Sequence, residues 1–151
     1  MSNKLVHLCS TFFYIGYLPF APGSIASLVA VFISYLLHNS TILYVLVLVA
    51  ITILGFTVSG RMEQLVGQKD PSCVVIDEVA GGMIAFFLLP KTTAVTVTAY
   101  FLFRAFDMFK IYPVNKLEEL QGGKGIMVDD LFAGLYTNIV VQIALRLAGV
   151  V

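Results

Sequence analysis

Residues 41–59 read TILYVLVLVAITILGFTVS, and this uncharged, apolar run decides the class of fold. A bilayer core about 30 Å thick is crossed by a helix of about 20 apolar residues, which is close to the length of this run. The neighbouring sequence extends the pattern, because no Asp, Glu, Lys or Arg occurs between Lys4 and Arg61. That region is long enough for two membrane crossings, so the sequence predicts an integral membrane protein.

The composition of the whole chain agrees with a membrane location. Its 151 residues are 59% hydrophobic and 12% charged, whereas a soluble domain is about 45–50% apolar and about 25% charged. A soluble fold of this length has too little interior for so many apolar side chains. The formal net charge is zero and no basic stripe with interleaved aromatic residues occurs, so nucleic acid is not an expected partner.

Helix start and stop signals predict an all-α fold, a polytopic membrane helix bundle in a single domain over residues 1–151. Pro19, Pro22 and Gly23 break the first apolar stretch, and Ser24 is then expected to cap the first helix, which is short or re-entrant. Asp70 and Pro71 favour a later helix start. The five expected helices cover residues 24–37, 41–59, 71–89, 93–109 and 128–147.

The distribution of basic residues predicts the orientation in the membrane. Lys and Arg near helix ends accumulate on the cytoplasmic side. With the N-terminus inside, only Lys91 and Arg146 fall towards the outside. The basic residues that fall inside are Lys4, Arg61, Lys69, Arg104, Lys110, Lys116 and Lys124. The same orientation brings the candidate catalytic side chains to the inner surface, because each lies at the matching end of its helix.

Two acidic pairs enter apolar sequence directly. Asp77 and Glu78 lie near the start of the third expected helix, and Asp129 and Asp130 lie at the start of the last. An acidic side chain at the centre of a membrane helix costs about 2.5–3.5 kcal/mol, so these groups need a neutralising cation. Mg²⁺ is the natural candidate because it pairs carboxylates with waters and substrate phosphate. The alternative is that these charges only complement the helix dipole.

Each pair is followed by a glycine one helical turn after an Asp. Asp77 precedes Gly81 by four residues and Asp130 precedes Gly134 by four, so each Asp shares a helix face with its glycine. Small residues let membrane helices approach closely. Gly81 with Ala85, and Gly134 with Asn138, are therefore expected to bring the two helices together around one ion.

Cationic residues that could bind phosphate occur in residues 103–110. Arg104 and Asp107 are three residues apart, and Lys110 follows after another turn. Arg presents a planar fork to phosphate oxygens, with Asp107 orienting it, whereas Lys acts as a point charge. The alternative is an internal Arg104–Asp107 pair that neutralises both groups.

Two weaker indications of phosphate binding come from residues at the starts of expected helices. Lys124 lies in the expected loop Gly122-Gly123-Lys124-Gly125, whose N–H groups could cradle an anion before the last helix. Ser24 lies at the start of the first expected helix, with its N-terminus towards the inner face.

Phosphatases that use a cysteine or a histidine as catalytic residue need further residues that this sequence lacks. A cysteine phosphatase needs an Arg six positions after its catalytic Cys, and neither Cys9 nor Cys73 has one. We interpret both as small apolar side chains. His7 lies in the N-terminal stretch and His38 on the opposite face of the bundle, so both are interpreted as interfacial. A mechanism that uses carboxylates and a metal ion is therefore the remaining candidate for phosphatase chemistry.

Four motifs in combination resemble the phosphatidylglycerophosphatase A family over about residues 15 to 140. They are residues 21–24 (APGS), 70–78 (DPSCVVIDE), 103–110 (FRAFDMFK) and 122–134 (GGKGIMVDDLFAG). The resemblance implies a Mg²⁺-dependent enzyme that removes the terminal phosphate of phosphatidylglycerophosphate to give phosphatidylglycerol. It also implies a phospholipid substrate and a multi-pass location in the bacterial cytoplasmic (inner) membrane.

The resulting hypothesis assigns Asp77, Glu78, Asp129 and Asp130 to one or two Mg²⁺ ions and to catalysis at the cytoplasmic face. Either a water or an Asp carboxylate is the nucleophile. One rival, a CDP-alcohol phosphotransferase, needs a D-G-x-x-A-R signature that this sequence lacks. The other rival is an ion-coupled transporter with carboxylate relays, but clustering of the acids at one face counts against it.

Overall fold

A computed structural model describes residues 2–109 and 123–150, and in those ranges the chain is helical without any strand. The all-α prediction is therefore confirmed for the described part of the chain. A 3₁₀ turn at Ile15–Tyr17 separates the first two α-helices. The α-helices are α1 (Asn3–Ser10), α2 (Pro22–Leu36), α3 (Thr41–Val66), α4 (Ile76–Ala85), α5 (Thr93–Phe109) and α6 (Gly123–Leu147).

Two of the described helices, α3 and α6, are long and apolar enough to cross a membrane. The shorter helix α2 is also apolar. Helix α4 has only 10 residues and is therefore about 15 Å long, half the thickness of a bilayer core. The described residues thus contain two candidate spans, and the expected five membrane helices are not confirmed.

The boundaries of α2 and α3 differ in part from the expected ones. Helix α2 starts at Pro22 after Ala21, whose φ is 44°, so Ser24 lies inside the first turn and is not the cap. Ser40 caps α3 by accepting a hydrogen bond from the N–H of Leu43. Helix α3 continues past the expected end at Ser59 to Val66, and Gly67 ends it with a φ of 70°.

Helix α4 is shorter than the predicted 71–89 helix. Asp70 has a φ of 49° and does not cap a helix. The next residues form a turn, in which the N–H of Val74 donates to the carbonyl of Pro71 at 2.8 Å, and Val75 donates to Ser10 of α1 at 3.0 Å. This tertiary hydrogen bond uses the backbone of Val75 outside a helix, so α4 begins only at Ile76.

Helices α5 and α6 give one confirmed and one corrected boundary. Helix α5 covers the predicted residues 93–109. Helix α6 begins at Gly123 and not at Val128, so Gly123, Lys124 and Gly125 form a helical turn where a loop was expected. A side chain on Gly123 would place its Cβ 2.6 Å from the Gly60 nitrogen, so the glycine lets α6 start directly against α3.

Helix α4 lies at the centre of the bundle. All but two of its residues are buried, and it contacts α2, α3 and most extensively α6. A methyl group on Gly134 would overlap the carbonyl of Gly81, and one on Gly81 would overlap the carbonyl of Asp130. The predicted close approach of these two helices through their glycines is confirmed.

Both cysteines are free thiols that pack against an apolar cluster. Burial raises the pKa of the Cys73 thiol, which keeps it protonated and unreactive. This agrees with the interpretation of Cys73 as an apolar filler.

Candidate metal and phosphate site

Three carboxylates from two helices meet inside the bundle. Asp77 and Glu78 come from the first turn of α4 and Asp130 from the second turn of α6. One carboxylate oxygen from each lies within 4.8 Å of the others. Asp77 is only 7% exposed and Asp130 only 3%, so bulk water does not screen their mutual repulsion.

The glycine contact explains why these side chains meet. Gly81 and Gly134 bring the backbones of α4 and α6 into direct contact. Asp77 and Asp130 each lie one turn before their glycine, on the same face of the helix. The two carboxylates are therefore presented to each other just beyond the point of closest approach.

Two oxygen atoms of the cluster have no hydrogen-bond partner among the described residues. They are Oδ1 of Asp77 and Oε2 of Glu78, and both are buried. A buried polar atom without a partner costs about 1–3 kcal/mol, and charged groups cost more. Adjacent carboxylate oxygens with free lone pairs fit a hard divalent cation, so the cluster could hold a metal ion.

Asp129 takes a different position from the one predicted. It is buried like its neighbour, but it does not belong to the three-carboxylate group. Its Oδ1 accepts a hydrogen bond from the N–H of Asp130 at 3.0 Å. The structure therefore brings together three of the four predicted ligands.

Arg104 lies on α5 beside the acidic cluster. Its Nη1 is 2.8 Å from Oδ2 of Asp107, which confirms the internal pair considered from the sequence. The contact lacks the alignment of a hydrogen bond, and Nη1 is a buried donor with no hydrogen-bond partner in the described chain. Arg104 also interacts electrostatically with Glu78. The pair with Asp107 therefore leaves donor capacity that an anion could use.

The other predicted phosphate-binding residues are Ser24, Lys124 and Lys110. Ser24 lies in the first turn of α2, and its carbonyl accepts a hydrogen bond from Tyr100 at 3.1 Å. Lys124 is exposed in the first turn of α6. Lys110 lies outside the described residues.

Two polar residues help to hold the site helices in place: Tyr100, which was not identified from the sequence, and Asn138, which was expected at the contact between α4 and α6. Tyr100 of α5 donates to Ser24 of α2, one turn before Arg104. Asn138 of α6 donates to the carbonyls of Phe87 at 2.7 Å and Ala85 at 3.2 Å, at the end of α4. For Tyr100 the available signal was a polar group within an apolar helix, but its partner on α2 is visible only in the fold.

Comparisons with known proteins identify the family of this chain. Residues 8–145 match the family model for Phosphatidylglycerophosphatase A. A Bacteroides thetaiotaomicron protein with the provisional name phosphatidylinositol-3-phosphatase is 34% identical over 146 residues, covering 91% of each chain. No solved structure matches the chain significantly.

Two further relatives bear the family name. Phosphatidylglycerophosphatase A of Escherichia coli K12 is 34% identical over 138 residues, which cover 89% of this chain and 80% of the relative. The Haemophilus influenzae protein of the same name is 32% identical over 142 residues, which cover 90% and 86%. With the family model matching nearly the whole chain, this protein belongs to the phosphatidylglycerophosphatase A family.

Proposed function

We propose that this protein hydrolyses the terminal phosphate of phosphatidylglycerophosphate to give phosphatidylglycerol, with Mg²⁺, at the cytoplasmic face of a bacterial membrane. The observation that carries the proposal is the buried group of Asp77, Glu78 and Asp130 beside Arg104. Membership of the family supports a phosphatase, and the names of two relatives supply the substrate.

In this proposal Asp77, Glu78 and Asp130 hold the metal. A bound Mg²⁺ would polarise the phosphate and lower the pKa of a coordinated water. Asp129 supports the site from its position next to Asp130, where it accepts a hydrogen bond from the Asp130 N–H.

Arg104 binds the phosphate that is transferred. Nη1 has no aligned hydrogen bond to a described residue and could donate charge-assisted hydrogen bonds to phosphate oxygens, while the ion pair with Asp107 orients the guanidinium. Stabilising the charge on the transferring group is the main requirement in phosphoryl transfer. Lys110, Lys124 and Ser24 are proposed to add further contacts to the phosphate.

The nucleophile is either water or an aspartate of the cluster. In the first route water attacks phosphorus and the glycerol oxygen leaves with a proton. In the second route a carboxylate displaces the glycerol oxygen, and water then hydrolyses the acyl-phosphate. Acid quenching during turnover of ³²P-labelled substrate distinguishes them, since only the second route leaves label on the protein.

The direct test is phosphate release by the purified protein in detergent. Phosphatidylglycerophosphate is expected to yield phosphate with Mg²⁺, to yield none after EDTA, and to react again when Mg²⁺ is restored. Absence of metal-dependent release from any lipid phosphate would contradict the proposal and favour the ion-coupled transporter.

A second candidate substrate comes from the Bacteroides relative. Its name specifies a phosphatidylinositol-3-phosphatase, so phosphatidylinositol 3-phosphate belongs in the same assay. The same cluster and Arg104 would act on either lipid, because both present a phosphomonoester. We expect kcat/KM to be higher for phosphatidylglycerophosphate; the reverse order would reassign the substrate and leave the site unchanged.

We also propose that the whole chain forms one integral membrane phosphatase domain with about five membrane-embedded helices. The first of them is short or re-entrant, and the acidic cluster faces the cytoplasm. The candidate spans α3 and α6 support membrane insertion, and the excess of basic residues at one set of helix ends supports the orientation.

A further inference from the structure

Gly23 is buried in the first turn of α2, directly beside the Glu78 carboxylate. A methyl group in place of its hydrogen would overlap Oε1 of Glu78 and lie 3.1 Å from Cδ of that residue. The same methyl would lie 3.5 Å from Nη1 of Arg104. The space beside Gly23 is therefore taken up by the Glu78 carboxylate, with Arg104 Nη1 next to it.

Backbone conformation does not explain a glycine at this position. Among the described glycines only Gly67 and Gly149 have a positive φ, so Gly23 has a conformation open to any residue. In a helix interior glycine is about 1 kcal/mol less favourable than alanine, and the first turn gives glycine no advantage through a positive φ here. What Gly23 provides is room for a neighbouring side chain.

We infer that Gly23 is a positioning residue for metal binding: its missing side chain lets the Glu78 carboxylate lie against α2, within reach of Asp77, Asp130 and Arg104. This inference rests on the proposed metal-dependent function. It makes α2 a fourth helix that lines the site, in addition to α4 and α6, which carry the acids, and α5, which carries Arg104.

Gly82 supplies a matched control at the same pair of helices. A methyl group there would lie 2.6 Å from Cβ of Ala30 on α2 and 3.8 Å from Cε1 of Phe103. Ala30 cannot move without its backbone, so this substitution pushes α2 and α4 apart. At Gly23, by contrast, the obstacle is the flexible end of Glu78, which can turn away while the helices stay in place.

The experiment measures Mn²⁺ binding to the full-length purified protein in detergent, from the loss of the free-ion electron paramagnetic resonance signal, together with Tm without metal. Gly23→Ala is expected to raise the Mn²⁺ Kd about tenfold or more, the order seen when residues that orient metal ligands are changed, with Tm little altered. Gly82→Ala is expected to lower Tm and to leave the Kd within about twofold of wild type.

A double variant tests whether the effect passes through Glu78. Glu78→Asp withdraws the carboxylate by one methylene, so adding Gly23→Ala to it is expected to have no further effect on the Mn²⁺ Kd. An equal added loss in both backgrounds would overturn the inference, as would a wild-type Kd for Gly23→Ala or an equally large effect of Gly82→Ala.

Asp77→Asn separates failure of the inference from failure of the proposed function. If wild type binds Mn²⁺ and Asp77→Asn does not, the metal site stands, and an unchanged Gly23→Ala refutes only the role of Gly23. If wild-type protein binds no Mn²⁺, the metal site and the inference fail together.

Discussion

Asp77 and Asp130 are distant in sequence, yet their carboxylates share one buried cluster with Glu78. Asp77→Asn and Asp130→Asn each keep the size of the side chain and remove its charge. We expect each to lower kcat for phosphatidylglycerophosphate about 100-fold or more, as when one preorganised electrostatic group is lost from an active site. Phosphate release with saturating Mg²⁺ measures the effect.

The matched control for this pair is Glu63→Gln. Glu63 lies in the last turn of α3, outside the three-carboxylate group, and its amide variant should keep wild-type turnover. All three variants should accumulate in the membrane. Asp77→Asn and Asp130→Asn should melt at or above the wild-type Tm without metal, because loss of a ligand charge relieves repulsion, and Glu63→Gln should melt near it. Substantial activity in Asp77→Asn or Asp130→Asn would place the metal elsewhere.

Arg104 lies beside both Asp107 and the acidic cluster. Two substitutions can therefore distinguish phosphate binding by Arg104 from its ion pair with Asp107. Arg104→Lys retains the charge but loses the planar fork. We expect kcat/KM to fall about tenfold or more, since a lysine offers no bidentate contact to phosphate. Steady-state kinetics of phosphate release is the measurement.

Asp107→Asn is the companion variant. It keeps the shape of the Arg104 partner but removes the ion pair seen at 2.8 Å, so a smaller loss than for Arg104→Lys is expected. If Arg104→Lys had wild-type kinetics while Asp107→Asn were impaired, Arg104 would serve the internal pair and not the phosphate.

At the scale of elements, the site depends on how α4 is held against α6. Helix α4 has only 10 residues and few polar contacts of its own. Gly81 and Gly134 set the helix separation near the acids, and Asn138 binds the carbonyls at the far end of α4. The two contacts together determine both the distance and the register of the pair.

Asn138→Ala tests the second of these contacts. Removing the amide leaves the carbonyls of Ala85 and Phe87 without their donor, which should cost about 1–3 kcal/mol of unfolding free energy. We expect a lower Tm in detergent, and a loss of activity no larger than the loss of folded protein at the assay temperature. Thermal unfolding followed by circular dichroism measures the change.

Gln142→Ala, one turn further along α6, is the control for that substitution. Gln142 is half-buried, and its replacement should leave Tm close to wild type. An Asn138→Ala protein that melts with wild type would show that the glycine contact alone holds α4 in register.

For the whole molecule, the orientation in the membrane is open to a direct labelling test. Gln68 and Thr92 are exposed and lie near opposite ends of the region that carries α4. In a Cys9→Ala/Cys73→Ala background, we expect a membrane-impermeant maleimide to label Thr92→Cys in intact cells and Gln68→Cys only after permeabilisation. Both substitutions leave every charged residue in place, so the topological signal is unchanged.

Permeabilised cells supply the internal control, because both thiols should then react equally. Labelling of Gln68→Cys from outside intact cells would place the acidic cluster on the outer face. Labelling of both positions from the same side would contradict the proposed membrane crossing between them.

Much of this fold could be predicted without coordinates. Uninterrupted apolar runs predicted the helical class, and residues 93–109 form α5 as expected because turn residues mark its start. The start of α4 could not be predicted from local helix-start residues. Asp70 and Pro71 are good local helix starters, but the hydrogen bond from Val75 to Ser10 overrides them.

The sequence by itself determined that acidic residues lie in apolar stretches, where their charge has to be compensated. It also determined that a glycine follows two of them after one helical turn. Periodicity alone placed Asp77 above Gly81 and Asp130 above Gly134. Only the tertiary structure decided that Glu78 joins the cluster while Asp129 does not, and that Gly23 faces Glu78. Helical spacing specifies neighbours within one helix, whereas contacts between helices depend on the rotation and separation that backbone packing sets.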